Sequence, residues 1–256
     1  METKEIVKEA MKKSKSKTIF LAGATGAIGR VLTSLLVENG WKVYGTTRSK
    51  DKVALLRELG AEPVVIDVYE AGRLKAILTQ IKPDVVINQL TDLPYALNAD
   101  EMTAALVRNA RLRTEGSKNL VEAALSAGSK RIIAQSISFV YDEGQTPHIE
   151  EDPLLPLSHP VYGETAEGVR NLERQVLESG IEGIVLRYGL LYGPKTGFDA
   201  PIAPASVHVE AAAKAAEIAV TKGETGIYNV AEADDSLSCE KAINTLGWNA
   251  NWRVKQ

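Results

Sequence analysis

Short runs that are apolar on consecutive positions constrain this chain more than any other feature of its sequence. Val64-Val65-Ile66 and Val85-Val86-Ile87 leave no polar face for water, so each strand must be covered on both sides. Strand-like runs fall at 18–22, 42–46, 63–66, 84–88, 131–134 and 183–186, and helical periods fill 28–39, 50–58, 71–80, 100–127 and 165–179. Strands alternating with helices, and covered on both faces, imply a doubly wound parallel α/β sheet of the Rossmann type. Gly40, Gly60 and Gly128 each follow a helical period, where a left-handed closing residue is wanted. Residues 18–186 read as the sheet domain. Residues 187–256 read as a small C-terminal lobe packed on it, with Pro194, Pro201 and Pro204 marking a loop. Residues 1–17 read as a charged amphipathic helix carrying Ile6, Val7, Ala10 and Met11 on one stripe.

Directly after the first strand comes Gly23-Ala24-Thr25-Gly26-Ala27-Ile28-Gly29, before the first helical period. Glycines in this spacing allow a tight turn, let backbone amides approach a pyrophosphate, and let the helix pack on the sheet. A nicotinamide dinucleotide is the expected ligand. The second strand ends at Thr46-Thr47-Arg48 with no carboxylate to meet a ribose 2′-hydroxyl. Arg48 offers a guanidinium that can fork onto a 2′-phosphate, which favours NADP(H) while leaving NAD(H) possible. Arg30 and Lys52 add positive charge nearby. Asp67, beside Val68, is placed to accept from the adenine amino group or to cap its own loop.

Composition excludes several other classes. Lys+Arg 30 against Asp+Glu 33 gives a net charge of -3, a poor footprint for nucleic acid. Cys239 is the only cysteine, so no internal disulfide exists, and the three histidines form no metal box. No apolar run is long enough to span a membrane. Residues 1–17 lack the hydrophobic core of a secretory signal, so a cytoplasmic location is expected.

These motifs resemble the NAD-dependent epimerase/dehydratase family of extended short-chain dehydrogenases/reductases. The resemblance runs from about Thr18 to Val230. It rests on the glycine loop, Asp67-Val68, the strand leading to Gln89-Leu90-Thr91, Gly116 with Asn119-Leu120, and residues 136–141. Leu186-Arg187-Tyr188-Gly189, Leu191-Tyr192-Gly193-Pro194, Val207-His208-Val209-Glu210 and Tyr228-Asn229 extend it. It implies a cofactor lined by Gly23, Thr25, Gly26, Ala27, Ile28, Arg48, Asp67, Val68, Gln89, Leu90 and Thr91. It also implies a Tyr-x-x-x-Lys pair, with a serine or threonine, acting on a small carbonyl or alcohol substrate.

The catalytic positions depart from that pattern. Tyr162 stands where the tyrosine is expected, but the residue four later is Ala166, and no lysine occurs between Lys130 and Lys195. The serine position falls on Ile137, and the usual asparagine before Gly116 is Arg113. A phenol titrating near 10 needs a neighbouring cation to act as a base at neutral pH. Tyr162 and Ser136 are the candidate catalytic residues, Tyr141 is a further polar group, and Arg113 and Arg187 are the candidate cations. Two functions stay open: an oxidoreductase or epimerase-like enzyme with an altered proton-transfer set, and a non-catalytic NAD(P)-binding sensor like the NmrA-like regulators. Family members often pair through the helices at 100–127 and 165–179, which makes a homodimer an expectation.

Overall fold

The computed structural model describes residues 17–255, so the helix expected over 1–17 lies outside the described residues apart from Lys17. Seven parallel strands form the main sheet in the order β3-β2-β1-β4-β5-β6-β9. They are β1 Thr18–Ala22, β2 Lys42–Thr47, β3 Glu62–Val65, β4 Val85–Asn88, β5 Arg131–Ile137, β6 Glu182–Tyr188 and β9 Gly226–Val230. The helices are α1 Ala27–Glu38, α2 Val53–Glu58, α3 Ala71–Ile81, α4 Ala99–Arg111, α5 Ser117–Ala127, α6 Gly163–Leu177 and α7 Val209–Ala219.

Consecutive apolar residues serve two cores. Along β1, Ile19 and Leu21 join one buried cluster with Leu32 and Leu36 of α1 and the alanines of α7. Phe20 and Ala22 join the other with Leu74 and Leu78 of α3 and Leu120 and Ala124 of α5. The run Val85-Val86-Ile87 in β4 is buried on both faces as expected, whereas Val64-Val65 lie in the edge strand β3 and are only half-buried, because an edge strand has no neighbour on one side.

The expected helix over 100–127 follows a continuous path but changes pitch at a π-turn, Leu112–Gly116, between α4 and α5. Gly116 keeps that turn closely packed: a methyl group would lie 3.0 Å from Val68 Cγ1 and 2.9 Å from Leu112 Cδ1, so those side chains would have to shift.

The C-terminal residues divide their work between the main sheet and a smaller sheet. β9 is the seventh strand of the main sheet beside β6, and α7 packs against α1. Only β7 Leu190–Tyr192 and β8 Ser206–His208 form a separate two-stranded sheet. Among the described residues no helix is long and apolar enough to cross a membrane.

Strand order reverses between β1 and β4, and in such sheets the crevice outside the carboxyl ends at that point is where a ligand is held.

Candidate active site

The glycine loop sits at this crevice, and each glycine answers a different demand. Gly23 has φ +86°, and a methyl group on it would lie 2.4 Å from the Gln89 carbonyl oxygen. Its amide donates to Thr46 Oγ1 at 3.2 Å. A methyl group on Gly29 would lie 2.1 Å from the Gly23 carbonyl oxygen. Gly26 is exposed, and its methyl group would meet only the Gly23 carbonyl oxygen, at 3.4 Å. Folding demands the first and third glycines, whereas the middle one leaves a bare cradle. Gly26 caps α1 without a side-chain hydrogen bond, and no acid lies in the first turn. The amides of Ala27 and Ile28 begin a helix whose N-terminal partial charge faces outward, which suits a pyrophosphate.

The other expected cofactor residues surround this cradle. Gln89 is buried and donates through Nε2 to the Tyr188 hydroxyl at 3.4 Å, while its Oε1 has no partner among the described residues. Leu90 N is held by Asn88 Oδ1 at 3.1 Å, and Thr91 is exposed. Asp67 uses Oδ1 to accept from the Tyr69 amide at 3.0 Å, the loop-capping alternative, and the Val68 carbonyl accepts from Asn119. Arg30 is tied to the loop through the Thr25 carbonyl at 3.0 Å. The residues present fit a dinucleotide: an open backbone cradle, and an orphaned buried amide oxygen at the end of β4.

At the Arg48 end the structure adds an acid that sequence reading missed. Asp92, from the loop after β4, lies 3.5 Å from Arg48 and 3.4 Å from Arg108 of α4. Two guanidinium groups share one carboxylate, leaving one net positive charge. No local pattern announces this, because the three residues come from three different elements.

The positions of the expected proton relay are occupied by hydrocarbon. Ile137 and Ala166 pack together with Val140 and Val169 in one buried apolar cluster, covered by Leu154 and Leu155. Tyr162 stands at the N-cap of α6, 40% exposed, with its ring stacked on His159 at 5.9 Å. Its phenol has no hydrogen-bond partner among the described residues.

Ser136 is turned away from this cluster into a buried polar network. Its hydroxyl donates at 2.8 Å to Glu173 of α6, and Arg187 of β6 clamps the same carboxylate through Nε at 2.8 Å and Nη2 at 2.7 Å. Arg187 also donates to the Tyr141 hydroxyl at 2.7 Å, which in turn donates to Asn229 Oδ1 at 2.7 Å. Burial works against the Arg187 charge, but the hydrogen bonds and charge of Glu173 outweigh it and raise its pKa. Burial also pushes the Tyr141 phenol up, with Arg187 pulling it partly back, so Tyr141 is no neutral-pH base. Arg187 is therefore committed to Glu173 and Tyr141. Glu173 was not singled out from sequence. The available signal was a lone acid on the apolar stripe Val169, Leu172, Val176.

Arg113, in the π-turn, makes no hydrogen bond or ion pair among the described residues. Burial lowers its pKa to about 10, with the Glu173 charge opposing. His148 stacks on Tyr141 at 5.0 Å and meets Asp152 through Nδ1 at 3.0 Å. No group of three His, Cys, Asp or Glu side chains able to hold a metal occurs among the described residues. Burial pushes the Cys239 thiol up to about 12, so it is a packed residue rather than a nucleophile.

Fold and crevice together define a dinucleotide-binding Rossmann protein. The NAD dependent epimerase/dehydratase family model matches residues 19–237, and the chain belongs to that family. It is 34% identical over 226 residues to a 3-diazoavenalumate denitrifying reductase from a Streptomyces species, covering 88% of this chain and 71% of that protein. It is 29% identical over 183 residues to methionine adenosyltransferase 2 subunit beta of Pongo abelii. That match covers 70% of this chain but only 48% of the subunit, so the chain spans about half its length. The fold is shared with the UDP-glucose 4-epimerase of Thermotoga maritima, with a TM-score of 0.73 at 20% identity over 91% of this chain and 94% of that one.

Proposed function

We propose that this chain is an NAD(P)H-dependent reductase whose acceptor takes hydride without a proton from a tyrosine–lysine pair. The observation that carries this reading is the apolar cluster of Ile137, Ala166, Val140 and Val169 where that relay would lie. The bound nicotinamide would supply the hydride, and the protein's work is to hold it in register with the acceptor. Gly23, Thr25, Gly26, Ala27 and Ile28 would hold the pyrophosphate, and Asp67, Val68, Gln89, Leu90 and Thr91 would line the remainder. A carbonyl acceptor becomes an alkoxide that must be protonated, which this site is poorly built to do. An arenediazonium acceptor takes hydride on its terminal nitrogen to give an aryl diazene. The C–N bond then breaks to release dinitrogen, and the proton lost from nitrogen balances the one gained by the ring carbon. The diazo reductase named among the relatives supports that acceptor class.

The test is NADPH oxidation with a simple arenediazonium salt and with a panel of small ketones and aldehydes. Turnover above the uncatalysed rate is expected for the diazonium ion, with Tyr162→Phe changing kcat less than about threefold. General acid–base catalysis by a side chain is worth about 10²–10⁴-fold, so a loss of that size in Tyr162→Phe would restore the tyrosine mechanism. Turnover on no acceptor, with tight cofactor binding, would favour a second reading, a non-catalytic NAD(P)-binding subunit. The methionine adenosyltransferase subunit among the relatives supports that alternative.

For the cofactor, NADP(H) is favoured over NAD(H), because Arg48 and Arg108 converge with only Asp92 between them. A hydrogen bond to a charged group is worth about 1.5 kcal/mol or more, so Arg48→Ala and Arg108→Ala should each weaken NADPH about tenfold and leave NADH unchanged. Equal losses for both nucleotides in fluorescence titrations would remove the preference.

A further inference from the structure

Where α6 lacks a lysine, the neighbouring π-turn carries an arginine. The π-turn carrying Arg113 faces α6 along a parallel contact. A methyl group on Gly168 would lie 3.2 Å from Ala110 Cα, and further along Gln175 Nε2 donates to the Thr114 carbonyl at 3.0 Å. Both helices therefore start at the carboxyl end of the sheet. Cα–Cβ bonds in a helix lean toward its N-terminus, so the first bond of the Arg113 side chain leans toward the carboxyl end of the sheet, and Glu173 is the acid near it. Ala166 carries no charge and is buried with Ile137, Val140 and Val169, so that position of α6 supplies no partner for a cation.

Among the described residues Arg113 has no ion-pair or hydrogen-bond partner of its own. Glu173 is the acid whose charge it senses, but both carboxylate oxygens are already engaged, Oε1 by Ser136 and Arg187 and Oε2 by Arg187. A desolvated guanidinium with five donors and no hydrogen-bonded partner is an unfavourable arrangement in a folded protein unless something else supplies the acceptor. Arg113 as a residue is intermediate in exposure rather than fully enclosed. Its planar fork matches a carboxylate in bidentate geometry.

We propose that Arg113 is the recognition cation of this crevice and that the substrate it takes carries a carboxylate. The proposal rests on the reading of the crevice as the site of a small organic acceptor. Arg113 holds the carboxylate end and thereby fixes the distance from the anchor to the group that receives hydride. Such an anchor selects acids over their neutral analogues.

The test is calorimetry on the full chain loaded with NADP⁺, using benzoate and cinnamate against benzamide and cinnamamide. The acids should bind about 10- to 100-fold more tightly than the amides, the span of a charge-assisted hydrogen bond. Arg113→Gln should erase the difference, Arg113→Lys should keep part of it, and both should bind NADP⁺ as the parent does. Equal binding of acids and amides by the parent chain, or discrimination that survives Arg113→Gln, overturns the proposal. So does loss of NADP⁺ affinity in folded Arg113→Gln, because the cation then serves the cofactor. If Arg113→Gln does not fold, the acid–amide comparison on the parent and on Arg113→Lys decides. Acid-selective binding without turnover of any acceptor would sink the reductase reading and leave the carboxylate site standing. Turnover of neutral acceptors with no preference for acids would do the reverse.

Discussion

Gly26→Ala should fold normally and fail to bind nicotinamide nucleotide, whereas Gly23→Ala should fail at both. Gly26 has φ -74°, which any residue adopts, and a methyl group there meets no protein atom closer than 3.4 Å. Its stability change should stay within about 1 kcal/mol, the ordinary scale of a helix N-cap substitution. The methyl group does, however, stand where the diphosphate must approach the amides, and a loss of affinity of at least about 100-fold is expected. Gly23 is held at φ +86° with the Gln89 backbone pressed against it. Left-handed backbone alone costs an ordinary residue about 1–3 kcal/mol, and the collision adds to it. Urea denaturation and NADPH fluorescence titration on both variants check the contrast. Normal NADPH binding by Gly26→Ala would mean that the phosphates lie elsewhere.

Glu173→Ala should be among the most destabilising single changes in the molecule. It strips the carboxylate from a buried guanidinium, since the Glu173 and Arg187 side chains are only 7% and 4% exposed. Removing one partner of a buried ion pair costs about 3–5 kcal/mol, because the remaining charge stays buried and unpaired. Replacing both with hydrocarbon, as in Glu173→Leu with Arg187→Met, should recover most of that loss. Equilibrium urea unfolding of the two singles and the double forms the cycle. A Glu173→Ala loss below about 1 kcal/mol would show that water reaches the pair and replaces the carboxylate. The network matters beyond stability. Arg187 also donates to the Glu150 carbonyl at 3.0 Å, and Glu150 in turn accepts from the Asn229 amide at 2.8 Å. Strand β9 and the loop around 150 are thus fastened to the floor of the crevice through the same pair.

Local chemistry was legible in the sequence, and chemistry assembled across the fold was not. The glycine loop could be read because the turn, the strand before it and the helix after it are contiguous. The loss of the proton relay was equally legible, since Tyr162 and Ala166 are one helical turn apart. What the spacing did not show is that Ile137 and Ala166, from different elements, close over each other in one apolar cluster. Ser136 was placed with the nicotinamide because it adjoins position 137. Side chains alternate along a strand, so that neighbour faces the opposite way, into Glu173. Asp92 was invisible for another reason. The end of β2 has no carboxylate of its own, and the acid that reaches Arg48 arrives from the β4 loop. That β9 joins the main sheet beside β6 was not legible, because the irregular, proline-broken stretch before it reads as the start of a small lobe packed on the sheet domain.

That late strand has a consequence for biosynthesis. Until residues 226–230 leave the ribosome, the outer hydrogen-bonding edge of β6 has no neighbour, although the six other strands of the main sheet have already been synthesised. An uncovered edge is a template for pairing with another nascent chain. The growing polypeptide must therefore pass through a stage in which its oldest parts can fold while its newest edge stays adhesive. Chaperone dependence should be concentrated in that window.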